Sequence, residues 1–178
     1  MPAMRPGATN REPSTRTWAA LLARFAAGIA GAALLALVLV QAWQVFARYV
    51  LNDSPGWTEP VTVLLLGTTM SLGAAACVHA GRHFGFVLLV DALPARWRRM
   101  LEVSSSLTIA GIGAVLAAWS AVLLADGWGI RAAGAPMPEG IAYLPLAIGG
   151  VLVVVFALHK AALALAAARL AHPARGGD

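Results

Sequence analysis

Charge is scarce in this chain. Aspartate, glutamate, lysine and arginine together make up 12% of its 178 residues, against 60% hydrophobic. A soluble domain carries about a quarter charged residues to keep its surface wet, so a water-dissolved globule is excluded. Cysteine is nearly absent as well. Cys77 stands alone inside an apolar stretch, which excludes an internal disulfide and leaves buried packing as its expected role. The sequence also lacks the regular apolar–polar alternation of half-buried strands. Its apolar residues come in long blocks instead.

Four such blocks are present: Leu21 to Val45, Val61 to Val78, Val103 to Ala125 and Ile141 to Ala168. At about 1.5 Å of rise per residue, each reaches across a hydrocarbon layer of about 30 Å, the second only just. The fold class expected is all-α, an integral membrane protein of four transmembrane helices. The first block has an apolar core of about 20 residues, longer than the 7–15 of a cleaved signal segment, and reads as a retained helix. Thr58 is placed to cap the second helix, with Glu59 at its positive end and Pro60 in its first turn. Pro145 frees the Ile141 carbonyl, so a kink is expected early in the fourth. Residues 1–17, with three arginines among Pro, Gly, Ser and Thr, read as a disordered cytoplasmic tail. Residues 18–170 form the membrane domain and 171–178 a second cytoplasmic tail.

The net charge of +5 does not point to nucleic acid, because the arginines flank apolar blocks and form no single basic face. Their distribution reports orientation. Of the 13 basic residues, all but Arg48 and Arg131 fall in the two tails, in the segment after helix two, or at the adjoining helix ends. The positive-inside rule makes that side cytoplasmic, with both termini inside. Trp18, Trp43, Trp57, Trp97 and Trp128 stand at interfacial depths, whereas Trp119 lies inside helix three and is expected to pack against a neighbour. Residues 82–99 hold an apolar run too short to span, closed by Asp91, Pro94 and the cluster Arg96, Arg98 and Arg99. They read as an amphipathic segment lying in the cytoplasmic interface between helices 2 and 3.

Chemistry-bearing residues are few. Only Arg24 and Lys160 approach the apolar core, both near cytoplasmic ends where their stems snorkel. No acidic residue stands near the middle of a helix, so a self-sufficient ion-coupled carrier is not indicated. His79 and His83 are four apart and His159 lies on the same side. That leaves open a haem-binding electron-transfer subunit using His79 and His159, beside the plainer role of interfacial histidines. Otherwise no metal or cofactor is called for, and no nucleophile stands near a base. Gly28 with Ala32, and Gly67 with Ser71, make small-residue pairs that allow close helix packing.

The order of short motifs adds a resemblance. Phe46-Ala47-Arg48-Tyr49-Val50, then Asn52, then Pro55-Gly56-Trp57-Thr58-Glu59, are followed after helix two by Gly81-Arg82-His83-Phe84 and Leu88-Leu89-Val90-Asp91-Ala92-Leu93-Pro94. This succession resembles the DctQ-type small membrane subunit of TRAP (tripartite ATP-independent periplasmic) transporters, over roughly Leu21 to Leu165. The chain departs from that pattern at Pro60, where a second acidic residue is common, and at Gly85 and Val87. The resemblance implies a non-enzymatic subunit of the bacterial inner membrane. It would scaffold a large membrane subunit, which takes organic acids such as C4-dicarboxylates from a periplasmic substrate-binding protein and imports them on a sodium gradient. It also implies partner contacts by Arg48, Trp57 and Glu59 on the outer side and by His83, Asp91 and Arg96 on the inner side.

Overall fold

The computed structural model describes residues 15–53, 55–80 and 95–170. Four helices dominate: α1 (Thr15–Tyr49), α2 (Thr58–Ala80), α3 (Ala95–Asp126) and α4 (Leu144–Leu170). Short 3-10 turns, Gly127–Gly129 and Glu139–Tyr143, complete the connection from α3 to α4. All four helices lie in segments long and apolar enough to cross a membrane. The all-α, four-helix architecture expected from the sequence is the one observed. The 35 residues of α1 measure about 52 Å. That exceeds the hydrocarbon thickness of about 30 Å, so α1 must tilt or project beyond it.

Lipid offers no hydrogen-bond partners, which explains how the polar residues of these helices behave. Thr68, Thr69 and Ser71 donate their hydroxyls to the carbonyls four residues earlier, Leu64, Leu65 and Gly67, at 2.7, 2.9 and 2.7 Å. Ser106 and Thr108 do the same toward Glu102 and Ser104 at 2.8 and 3.0 Å. Each hydroxyl is thus satisfied within its own helix. Helix α1 stops where Asn52 adopts a left-handed φ of 54°, a conformation asparagine tolerates better than most residues. The Asp53 N–H then reaches back to the Ala47 carbonyl at 3.1 Å.

The helices pack in the order α1–α2–α4–α3, leaving α1 and α3 at the two ends of an open row. On α1 the buried positions Ala19, Ala23, Ala26, Ala30 and Ala33 are spaced alternately four and three apart, and Ala47 is buried further along. That spacing draws one narrow seam down the helix, of the kind that suits a shallow left-handed crossing. Across it lie Leu72 and Ala75 of α2 and Phe156 of α4. The centre of the row is tighter still. A Cβ on Gly149 would fall 2.4 Å from the Ser71 Cβ of α2, and one on Gly150 would fall 2.9 Å from the Ala117 nitrogen and the Gly113 oxygen of α3. Neighbouring residues of one helix point in directions about 100° apart. These two glycines therefore let α4 approach α2 on one side and α3 on the other. Ser71 also lies 2.8 Å from the Pro145 carbonyl, a polar link between α2 and α4.

Several local expectations are revised. The Thr58 hydroxyl donates to the Pro55 carbonyl at 2.7 Å, and the first helical bond runs from the Val61 N–H to the Trp57 carbonyl. Thr58 thus sits inside the first turn, and Trp57 occupies the boundary position. Pro145 produces no free carbonyl at Ile141, because a 3-10 turn precedes α4 and the Leu144 N–H bonds to the Ile141 oxygen. The proline stands in the first turn, where its missing N–H costs nothing. Trp119 and Cys77 are exposed and not packed inside, since they point away from the row's internal seams. The basic cluster Arg96, Arg98 and Arg99 belongs to the first turns of α3 and does not close a separate segment. The interfacial segment expected over 82–99 otherwise lies outside the described residues, as do both tails beyond residues 15 and 170.

The tight centre makes a testable contrast. Gly150→Ala forces a methyl against backbone atoms that cannot rotate away, and a loss of about 1–3 kcal/mol is expected. Gly73→Ala and Gly111→Ala meet nothing within 4 Å, and removing a helical glycine should be neutral or stabilise by about 0.5–1 kcal/mol. Thermal melts of the three variants in detergent check this. Equal effects would mean that the glycine seam does not set the packing.

Candidate functional site

Antiparallel helices place the polar groups of this chain at the two ends of the row. At the end remote from the termini, Arg48 closes α1 and Glu59 opens α2. Both side chains are exposed, as is Trp57. Arg48 and Glu59 form no ion pair with each other, so an internal clasp of the first hairpin by these two charges is not what the fold uses. The hairpin turns at Asn52 and packs along the alanine seam of α1, and just after the turn Gly56 meets Gly134. The latter glycine has a φ of +79°, and a Cβ on it would fall 2.6 Å from the Gly56 oxygen.

That contact brings the connection between α3 and α4 over the start of α2. The connection is a short clasp, closed by the Ala132 N–H on the Met137 carbonyl at 2.9 Å and by the Glu139 N–H on the Ile130 carbonyl at 2.8 Å. An isolated antiparallel bridge joins Arg131 to Pro138. Between the clasp and α2 lies a cavity of about 520 Å³, lined by Glu59, Val63, Met70, Arg131, Glu139 and Leu146 among others. Arg131 and Glu139 carried no assigned role in the sequence, because nothing in their local pattern places them beside Glu59. Only the folding of the clasp back onto α2 does so.

At the terminal end, aromatic contacts join three helices. The Trp18 and His159 rings meet edge to face at 5.5 Å between centroids, and His79 lies 5.2 Å from Phe156. These contacts tie the start of α1 and the end of α2 to α4. Each imidazole thus packs on another aromatic ring. Among the described residues no group of three or more His, Cys, Asp or Glu is arranged to hold a metal ion. Arg96 lies in the first turn of α3, while His83 and Asp91 lie outside the described residues.

The two small-residue pairs differ in use. Gly67 faces α4, where a Cβ would fall 2.9 Å from Leu146 Cδ1, and Ser71 meets Gly149. Gly28 has nothing within 4 Å and Ala32 is exposed, so this pair lies off the alanine seam of α1 and contacts no other helix closely among the described residues. The signal that identified the seam's true residues was present as the four–three alanine spacing. It was masked by alanine's abundance on every face of that helix.

Large apolar residues cover both end helices. Phe25, Leu35 and Leu39 of α1 are about 70% exposed, and Ile112, Val115 and Trp119 of α3 nearly as much. Such surface is stable only against lipid or another apolar protein.

Comparison with known proteins agrees with this architecture. A relative from Vibrio cholerae serotype O1, described as the sialic acid TRAP transporter small permease protein SiaQ, is 30% identical over 82 residues. The match covers 46% of this chain and 47% of the relative, so the aligned part spans about half the length of that protein. The family described as tripartite ATP-independent periplasmic transporters, DctQ component, matches residues 37–167, from the second half of α1 almost to the end of α4. With four apolar helices, charge confined to their ends and a match over most of its length, this chain belongs to the DctQ-component family of the tripartite ATP-independent periplasmic transporters.

Proposed function

We propose that this chain is the scaffold of its transporter and neither binds nor moves the transported solute by itself. One observation carries the reading. No Asp, Glu, Lys, Arg or His stands between Arg24 and Arg48 on α1, Glu59 and His79 on α2, Glu102 and Asp126 on α3, or Glu139 and His159 on the fourth crossing. A sodium ion or an acid anion held within the hydrocarbon layer needs opposing charge, or carbonyls freed by a broken helix. The helices here run without interruption through their apolar lengths, and Thr68, Thr69 and Ser71 turn their hydroxyls to carbonyls of their own helix.

The partners on this reading are a large membrane subunit, which carries the solute, and a periplasmic substrate-binding protein, which delivers it. The solute is an organic acid, of the C4-dicarboxylate or sialic acid kind, driven by a sodium gradient. The similarity to a permease component named for sialic acid supports that class. The exposed faces of α1 and α3 supply apolar area for the large subunit, and Arg48 and Trp57 supply polar and aromatic groups at its rim. The chain resides in the bacterial inner membrane with both termini in the cytoplasm, as the distribution of its arginines indicates.

Reporters test the orientation. A fusion after Asp178 should be active only in the cytoplasm, and an insertion at Ala133 only outside; the reverse pattern would overturn the sidedness. Reconstitution tests the scaffold role. The chain alone in liposomes should neither accumulate organic acids nor dissipate a sodium gradient, and adding the large subunit with loaded binding protein should start uptake. Saturable, sodium-dependent uptake by the lone chain would falsify the proposal.

A further inference from the structure

The cavity between α2 and the α3–α4 clasp has a chemistry that scaffolding does not require. Its walls follow α2 from Glu59 to Met70, about 16 Å of helix at ~1.5 Å per residue, so it descends roughly halfway into a ~30 Å layer. Its residues are sorted by depth. Glu59, Arg131 and Glu139 stand at the helix-end level, while Val63, Met70 and Leu146 line the deeper part. Val63 is 50% and Met70 68% exposed, so the apolar part opens sideways, toward the space that lipid occupies.

We propose that this cavity binds one phospholipid with a zwitterionic, phosphatidylethanolamine-type headgroup. One acyl chain lies along Val63 to Met70, and the headgroup sits among Arg131, Glu59 and Glu139. Charge selects the headgroup. One guanidinium and two carboxylates leave the mouth with a formal charge of −1, which disfavours an anionic lipid and a free organic-acid anion alike. A phosphate paired with Arg131 and an ammonium facing the two carboxylates uses all three groups. A flexible unbranched chain beneath a compact zwitterionic head matches the polarity gradient, charged at the mouth and apolar along α2.

Native mass spectrometry of the full-length chain in mild detergent, offered equal phosphatidylethanolamine and phosphatidylglycerol, tests this. The wild type should retain the former over the latter by about threefold, the scale of an exposed ion pair. The double variant Glu59→Gln/Glu139→Gln should bring the two lipids to parity, and Arg131→Gln should lower phosphatidylethanolamine retention, each with the elution profile and helicity of the parent. Equal retention by the wild type, or an unchanged preference in the double variant, overturns the proposal. A second arm addresses a protein occupant. Val63→Cys, carrying a photoreactive group and expressed in cells, should label lipid, and Val63→Trp should fill the groove and abolish retention. Labelling of another protein in place of lipid would equally overturn it. None of these outcomes bears on the family assignment.

Discussion

The spacing of α4 from its two neighbours is the constraint on which the row depends. Gly149 and Gly150 are adjacent, and each removes the one side-chain carbon that would hold a neighbouring backbone away. In lipid there is little hydrophobic gain from bringing helices together, so dispersion contact and occasional polar links must supply the attraction. Both fall off steeply with distance. Close approach at α2 permits the Ser71 hydroxyl to reach the Pro145 carbonyl, and close approach at α3 interlocks Gly113 with Val153. A larger residue at either position would separate the backbones and lose several contacts together.

Because α4 is flanked closely by α2 and α3, α1 packs mainly on α2 and touches α4 at Leu152, Phe156 and His159, so the helices form a row instead of closing into a ring. An open row buries little of itself. It leaves one broad apolar side on α1 and another on α3, far more than a compact bundle of this size would need to show its solvent. That is a poor design for a free-standing carrier and a suitable one for a subunit whose task is to extend a partner's footprint in the bilayer. The hydroxyls of Thr68, Ser106 and Thr108 turn back on their own helices.

Polar chemistry is correspondingly pushed to the ends. The terminal end uses aromatic stacking among Trp18, His79, Phe156 and His159, which fastens three helices without placing a charge in the hydrocarbon. The opposite end folds a clasp back over α2 and gathers Glu59, Arg131 and Glu139 around one cavity. These three residues come from the first turn of α2 and from the α3–α4 connection, so their gathering is a property of the helix order and not of any local motif.

The sequence by itself determined that there are four crossings, where each roughly begins and ends, and that their interiors hold no charge. Those facts follow from transfer free energies, which depend on residue type and block length and not on neighbours. It also exposed the family through ordered motifs near Arg48, Trp57 and Glu59. The tertiary structure alone decided which faces pair. Alanine and glycine are so common in these helices that Gly28 and Ala32 read as well as Ala26 and Ala30, and only the burial pattern separates them. It likewise decided that Trp119 and Cys77 face outward, that a 3-10 turn absorbs Pro145, and that Arg131 and Glu59 line one cavity. In lipid every apolar face is equally soluble, so hydropathy is silent about direction; close packing, which depends on the shapes of helices far apart in the chain, makes that choice.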